Sequence, residues 1–180
     1  MYEPIENFYL SYPSSVCVLG PSCSGKSTLM MKALHNWPTV CPLRPKLKRL
    51  LLFYSIWQPI YRQIRDEIVP SDCELLFFQE EPTETNLSTL GPLAENEAQL
   101  VIVDDLANKV GQKGNCIERL FTAIAHHAGA GSGAQVWLLS QDLQQGGDSM
   151  RCIRKNATYL FLMPAILNGN ALETLQRSLF

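Results

Sequence analysis

The chain has 180 residues, 46% hydrophobic and 18% charged, with a formal net charge of −2. That length gives one domain with a core of its own, and that balance excludes a disordered or fibrous chain. It also excludes a globally basic surface as the means of holding a partner, although a local basic patch is compatible with it.

From the N-terminus, Met1 to Ser14 carries Glu3 and Glu6 and no basic segment, so it does not resemble a secretory signal. It has no clear period and reads as a loosely packed lead-in. No apolar run in the chain approaches the roughly 20 residues of a membrane span, so a soluble, intracellular protein is expected. Six cysteines, Cys17, Cys23, Cys41, Cys73, Cys116 and Cys152, are scattered without C-x-x-C spacing, which indicates neither a zinc site nor a disulfide framework.

Val16 to Leu19 is an apolar, β-branched run, and Gly20 to Ser27 follows it as G-P-S-C-S-G-K-S. Thr28 to Leu34 then has the composition of a helix. Strand, glycine loop and helix in this order form a P-loop. Its glycines let successive N–H groups point inward beside a helix N-terminus, a concavity that suits phosphate. Gly20, Pro21, Ser22, Cys23, Ser24, Gly25, Lys26, Ser27 and Thr28 are therefore expected to bind a nucleoside triphosphate. Lys26 would reach the β and γ phosphates, and Ser27 would ligate Mg²⁺. Cys23 lies where a thiol is activated, so it is either a redox site or filler at a variable position.

The first helix should run from about Lys26 to Asn36 and stop at Trp37-Pro38. Between Pro38 and Arg49 come Arg44, Lys46, Lys48 and Arg49, a loop that either contacts a polyanion such as DNA or is a solvated connection. Leu50 to Tyr54 reads as a parallel strand covered on both faces, Ile60 to Ile68 as a short amphipathic helix, and Glu74 to Phe78 as another strand. Residues 80–97 read as an exposed acidic loop with a turn of helix.

Leu100 to Val103 runs directly into Asp104 and Asp105. An all-apolar strand delivers a carboxylate to its C-terminal end, where open α/β sheets bind ligands. This is a Walker B pattern: Asp104 would hold Mg²⁺, and Asp105 would orient and deprotonate an attacking water. Alone, the pair could equally be a strand-end turn. Next come a mildly basic loop with Lys109 and Lys113, a helix from Ile117 to His127, and a glycine-rich break from Gly129 to Gly133 that is a hinge or only a connection. His126 and His127 face different directions on a helix and make a poor metal site. Gln135 to Asp142 is a further buried strand, and it sets Ser140 and Gln141 beside the acid pair, where an amide can sense the γ-phosphate. Met150 to Asn156 is a basic cluster on a short helix, Thr158 to Met163 the last strand, and Ala165 to Phe180 a helix with Leu172, Leu175 and Leu179 at apolar spacing.

With these pieces placed, the chain resembles the FtsK–HerA superfamily of DNA-pumping ATPases, and within it the genome-packaging ATPases of double-jelly-roll DNA viruses and Polinton-type elements. The resemblance is carried by V-I-V-D-D-L at Val101 to Leu106, L-F-T-A-I-A-H-H at Leu120 to His127, L-S-Q-D-L at Leu139 to Leu143 and M-R-C-I-R-K-N-A-T-Y at Met150 to Tyr159. Tyr54, Trp57 and Gln58 fit the group's aromatic-then-glutamine segment. Pro70 to Gln99 and the last residues match only loosely.

The resemblance implies an α/β, three-layer P-loop domain of the additional-strand type, with a mostly parallel five-strand core at Val16, Leu50, Val101, Val136 and Tyr159 and helices on both faces. It implies an ATP- and Mg²⁺-dependent ATPase that forms a homo-oligomeric ring of about five or six subunits and drives double-stranded DNA into a viral capsid, with the capsid or a portal-like vertex as its partner. Such a protein would act in the virion or the host-cell interior. Carried over, Lys26 and Ser27 take the Walker A roles, Asp104 that of the Mg²⁺ acid, Asp105 that of the catalytic acid and Gln141 that of the polar sensor. Arg151 or Arg154 would be an arginine finger reaching the neighbouring subunit, Arg151 ranking first; both could equally be surface cations. The chain departs from the group in its longer Gly129 to Gly133 link and in Asp rather than Glu at Asp105. No separate DNA-recognition or nuclease domain follows the last strand, so a motor alone is expected. A small-molecule kinase lacks the arginine-dense lid it would need here, and a transporter-type ATPase lacks its L-S-G-G-Q signature. A nucleotide-binding structural subunit remains an alternative.

Overall fold

Apolar runs of strand length become a single sheet in the computed structural model, which describes residues 8–106, 116–125, 133–141 and 147–164. The strands are β1 (Ser15–Leu19), β2 (Lys46–Tyr54), β3 (Glu74–Phe78), β4 (Glu97–Asp104), β5 (Gln135–Ser140) and β6 (Tyr159–Leu162). All pairings are parallel, and the order across the sheet is β3-β2-β4-β5-β1-β6. The five expected core strands are present, and Glu74 to Phe78 adds a sixth at one edge. β5 lies between the P-loop strand β1 and the Walker B strand β4, which is the additional-strand arrangement.

Side chains alternate across each strand, and the alternation divides the interior into two layers. Val16, Val18, Leu50, Leu52, Leu100, Ile102, Trp137 and Leu139 face one way. They are covered by α1 (Lys26–His35), α2 (Trp37–Val40) and α3 (Pro59–Gln63), the last continuing as a π-helical turn over Ile64–Ile68. Cys17, Leu19, Leu51, Phe53, Val101, Val103, Val136 and Leu138 face the other way. Their cover is α4 (Glu84–Leu87), α5 (Cys116–Arg119) with a π-helical turn over Leu120–Ile124, and α6 (Gly147–Asn156). Both faces being buried explains why the strands read as continuous apolar runs.

Right-handed crossovers decide where the site falls. The connection leaving β1 runs across β5 and β4 to β2, while the one leaving β5 runs across β1 to β6. Neighbouring strands whose connections depart in opposite directions open a crevice at their C-terminal ends, the place where such sheets take ligands.

Two expectations are corrected. Residues 38–49 are not one loop: Pro38 is the second residue of α2, where a helix tolerates proline in its first turn, and β2 already begins at Lys46. Its basic residues have acidic partners, Lys46 with Asp72 and Glu97, Lys48 with Asp72, and Arg49 with Glu74. From residue 8 on, the lead-in is tied down, with Leu10 buried, the Leu10 N–H donating to the Val40 carbonyl at 2.7 Å and the Ser11 N–H to Tyr159 Oη at 3.0 Å. The helical turn expected in the acidic stretch is present as α4, opened by a Thr83–Asn86 capping box and paired through Glu84 with Arg119 of α5. Lys109, Lys113, His126, His127, Asp142 and the tail after Pro164 lie outside the described residues.

Candidate active site

Strand-end hydrogen bonds set the site's frame. The Gly20 N–H donates to the Ser140 carbonyl at 3.1 Å, the Asp105 N–H to the Leu139 carbonyl at 3.2 Å and the Met163 N–H to the Leu19 carbonyl at 2.9 Å. The ends of β4, β5, β1 and β6 are thereby held side by side.

The loop leaving β1 turns through two left-handed residues, Cys23 (φ 61°) and Gly25 (φ 96°), before α1 starts at Lys26. Gly25 accepts such a φ without a Cβ penalty. Gly20 is required for space: a Cβ there would lie 2.5 Å from Ser24 Oγ and 2.6 Å from Met163 Cβ. Met163, at the end of β6, thus packs against the loop. Pro21, Ser22, Cys23 and Thr28 are exposed, and Ser24 and Ser27 are half-buried. Ser24 Oγ is buried and has no hydrogen-bond partner among the described residues.

Lys26 is only 9% exposed, and its ammonium donates to the Gly20 carbonyl at 2.7 Å and the Pro21 carbonyl at 2.8 Å. Burial pushes it below the ordinary lysine range, while the negative charges of Asp104 and Asp105 push the other way. The cation therefore sits inside the field of both acids.

Alternation along β4 puts Asp104 on the α1 and α3 face of the sheet, as it does Leu100 and Ile102. Asp104 is 3% exposed, and its Oδ2 accepts a hydrogen bond from Tyr61 Oη at 2.8 Å. Burial raises its carboxyl above the usual carboxylate range; the Tyr61 hydrogen bond lowers it, Asp105 raises it and Lys26 lowers it. Asp105 ends the alternation with a left-handed φ of 57°, a conformation Asp tolerates better than most side chains. The turn brings its Oδ1 to Gln141 Nε2, which donates at 2.8 Å from the end of β5.

The structure brings together the loop from Gly20 to Thr28, Asp104, Asp105 and Gln141. It separates the two arginines. Arg151 is exposed on α6, whereas Arg154 is 7% exposed, with its charge close enough to act on the buried Cys17 thiol of β1. Sequence reasoning missed Tyr61 and Met163. Each stands at an apolar position of its element, where an aromatic or a methionine has the same signature as ordinary core.

The donor set fits a triphosphate with Mg²⁺. A glycine cradle that a Cβ would fill, an unpartnered serine hydroxyl, a buried ammonium and a desolvated carboxylate are what phosphate oxygens and a hard cation would engage. Ser27 and Asp104 are the residues that would hold the cation.

No family model matches the chain, and no curated protein is similar to it at a significant level. Solved structures share its fold. The cytoplasmic domain of EssC superposes with a TM-score of 0.58 at 11% identity, over 92% of this chain and 35% of that one. EssC ATPases 2 and 3 from Geobacillus thermodenitrificans give 0.51 at 10% identity, over 91% and 34%. The genome packaging NTPase B204 from Sulfolobus turreted icosahedral virus 2 gives 0.51 at 13% identity in its AMPPCP complex, over 92% and 82%. Its AMP complex gives 0.52 at 15% identity over the same shares. The chain spans about a third of the EssC structures and most of B204. The α/β P-loop fold expected from the sequence is thus the fold of known ATPase and NTPase domains. Among the described residues no helix is long and apolar enough to cross a membrane.

Proposed function

We propose that this protein is an ATPase that hydrolyses ATP at sites shared between neighbouring subunits of a homo-oligomeric ring and couples turnover to movement of double-stranded DNA into a viral capsid. The observation that carries the hydrolytic reading is the convergence of Lys26, Asp104, Asp105 and Gln141 at the ends of the adjacent strands β1, β4 and β5. DNA movement and packaging rest on the sequence resemblance and on the likeness in fold to a genome packaging NTPase.

In this reading the Lys26 ammonium passes its hydrogen bonds from the Gly20 and Pro21 carbonyls to oxygens of the β and γ phosphates. The inward N–H groups of the loop and the N-terminus of α1 bind the remaining phosphate charge. Mg²⁺ held by Ser27 and Asp104 would supply neutralisation of the same oxygens. Asp105 accepts a proton from the attacking water while Gln141 keeps its carboxylate oriented. The water oxygen bonds to the γ phosphorus, and the bond from that phosphorus to the β–γ bridging oxygen breaks, its electron pair leaving with ADP. Arg151, exposed on α6, is free to reach a neighbouring active site, whereas Arg154 is committed to its own subunit's interior. Two segments are candidates for contact with DNA, the loop with Lys109 and Lys113 and the run from Arg44 to Arg49; the latter leads into the start of β2, at the opposite end of the strands from the site, and its Lys46, Lys48 and Arg49 are paired with acids. That leaves the segment with Lys109 and Lys113 as the stronger candidate.

ATP turnover of the assembled protein, with and without duplex DNA, tests this. Duplex DNA should stimulate turnover, and Lys26→Ala and Asp105→Asn should abolish it. Stimulation by a phosphate acceptor with indifference to DNA would overturn the motor reading in favour of a kinase. Nucleotide binding without turnover would favour a structural subunit.

A further inference from the structure

Tyr61 is fully buried, on the first turn of α3, yet its hydroxyl is spent on a single acceptor, Asp104 Oδ2 at 2.8 Å. A buried tyrosine used only for packing is normally replaceable by phenylalanine, because the hydroxyl adds a desolvation cost that its partner must offset. Here the partner is the carboxylate expected to face the metal. Occupying one of its two oxygens fixes the rotation of the group and leaves the other for a cation's water shell. Outer hydrogen bonds of this kind orient metal-binding carboxylates.

Tyr61 is itself held by an aromatic box. Its ring lies 5.2 Å from Tyr54, 5.5 Å from Trp57 in edge-to-face contact and 6.4 Å from Phe77, and Trp57 also packs edge-to-face on Tyr54 at 5.6 Å and on Phe77 at 5.3 Å. Tyr54 and Asp104 are register partners on β2 and β4, so the box and the acid ride on neighbouring strand ends. The box opens to the surface at Trp57, 41% exposed, beside the exposed Ile56. The π-helical turn that follows, Ile64–Ile68, ends α3 with a geometry often found at functional sites.

We propose that Tyr61 is a positioning residue for the metal–nucleotide complex: its hydroxyl holds the Asp104 carboxylate in one orientation, and its ring passes any rotation of that carboxylate to the partly exposed Trp57. The proposal rests on the reading of this site as one for Mg²⁺ and a nucleoside triphosphate. It gives the segment from Tyr54 to Tyr61 a role that packing alone would not, as the route by which metal–nucleotide occupancy reaches the surface.

The test is equilibrium binding of the non-hydrolysable analogue AMPPNP to the full chain, first in EDTA and then across a Mg²⁺ titration, for wild type and Tyr61→Phe. Tyr61→Phe should keep its affinity in EDTA within about twofold but need about tenfold more Mg²⁺ for half-maximal enhancement, the scale expected for losing an outer hydrogen bond to a metal ligand. Tryptophan emission is read in the same titrations. Mg²⁺ added to the analogue complex should change the emission of wild type, and the change should be absent in both Trp57→Phe and Tyr61→Phe. An unchanged Mg²⁺ requirement in folded Tyr61→Phe would overturn the positioning role. A wild-type emission that does not respond to Mg²⁺ would overturn the link to Trp57, and this arm needs no variant to fold. Failure of wild type to bind AMPPNP under any condition would overturn the nucleotide site, and the proposal with it.

Discussion

Gln141 Nε2 donates a hydrogen bond to Asp105 Oδ1 at 2.8 Å, joining the ends of two neighbouring strands at the point where the second strand has been inserted between the P-loop and the acid pair. The amide holds the carboxylate that accepts the water's proton in the proposed reaction. Asp105→Asn should abolish turnover while nucleotide affinity stays within about twofold of wild type. Gln141→Ala should lower kcat by roughly 10- to 100-fold with little change in KM, in the range for a group that positions a general base. Steady-state kinetics of the two variants decides this, and an unchanged kcat in Gln141→Ala would remove its positioning role.

Gly20 and Gly91 make a matched pair for testing the loop's geometry. A Cβ at Gly20 meets Ser24 and Met163 well inside contact distance, whereas one at Gly91 meets nothing within 4 Å. Gly20→Ala should destabilise the fold by about 1–3 kcal/mol, as overpacking does, and weaken nucleotide binding as the loop shifts. Gly91→Ala should stay within about 0.5 kcal/mol of wild type. Thermal melts of the two variants, with isothermal titration of nucleotide, measure both effects. Equal melts would show that the loop accommodates the methyl group.

The arginines of α6 should part company in the same kind of experiment. Arg151→Ala removes an exposed side chain and should leave stability within about 0.5 kcal/mol of wild type. Arg154→Ala empties a buried position under β1 and should lower the melting temperature clearly, by the equivalent of about 2 kcal/mol or more. If Arg151 acts across the subunit boundary, mixing Arg151→Ala with Asp105→Asn subunits should restore part of the turnover that each lacks alone. No recovery in mixed assemblies would argue against that reach.

Asp104 links the site to pH. Burial raises its carboxyl above the ordinary range, with the Tyr61 hydrogen bond opposing. The folded protein therefore holds this proton more tightly than the unfolded chain does, so the group's contribution to stability is greatest at acid pH and is lost as pH rises through the raised value. Asp104→Asn keeps an acceptor for Tyr61 and removes the buried charge. Nucleotide-free Asp104→Asn should melt higher than wild type at about pH 8, with the gap closing toward about pH 4. Its additional stabilisation by Mg²⁺ with nucleotide should be lost. Melting curves across that range check both, and a gap independent of pH would remove the carboxylate as its cause.

The cysteines should label in order of exposure. Cys23, exposed on the phosphate loop, should react first with a thiol reagent. Cys17, buried and with its thiol pushed up to about 12 chiefly by burial, should react only on unfolding. Mass-mapped alkylation reads this, and bound nucleotide should slow labelling of Cys23. Unchanged Cys23 labelling in the presence of saturating nucleotide would argue against phosphate binding at the loop.

What the sequence determined by itself was local or periodic. The run from Gly20 to Ser27 demands a phosphate loop because only glycine takes the turn at Gly25 and the close approach at Gly20. Continuous apolar runs ending in Asp104 and Ser140 demand buried parallel strands with polar groups at one end of the sheet. Charge between Pro38 and Arg49, by contrast, leaves a polyanion contact and a solvated connection equally open in the sequence. The basic residues there look like a free cationic loop until β2 and β3 pair, when Asp72 and Glu74 come beside them. A helical cluster of arginines likewise shows its pattern in sequence but not which member faces inward, and only packing against β1 buries Arg154 and leaves Arg151 outside. Tyr61 is the clearest case. Its position in α3 carries no sign of a polar role, because the carboxylate it serves lies 43 residues away and meets it only when β4 settles beside β2. Spacing along a chain encodes turns and faces; contacts between distant segments exist only once the sheet order brings strand ends together.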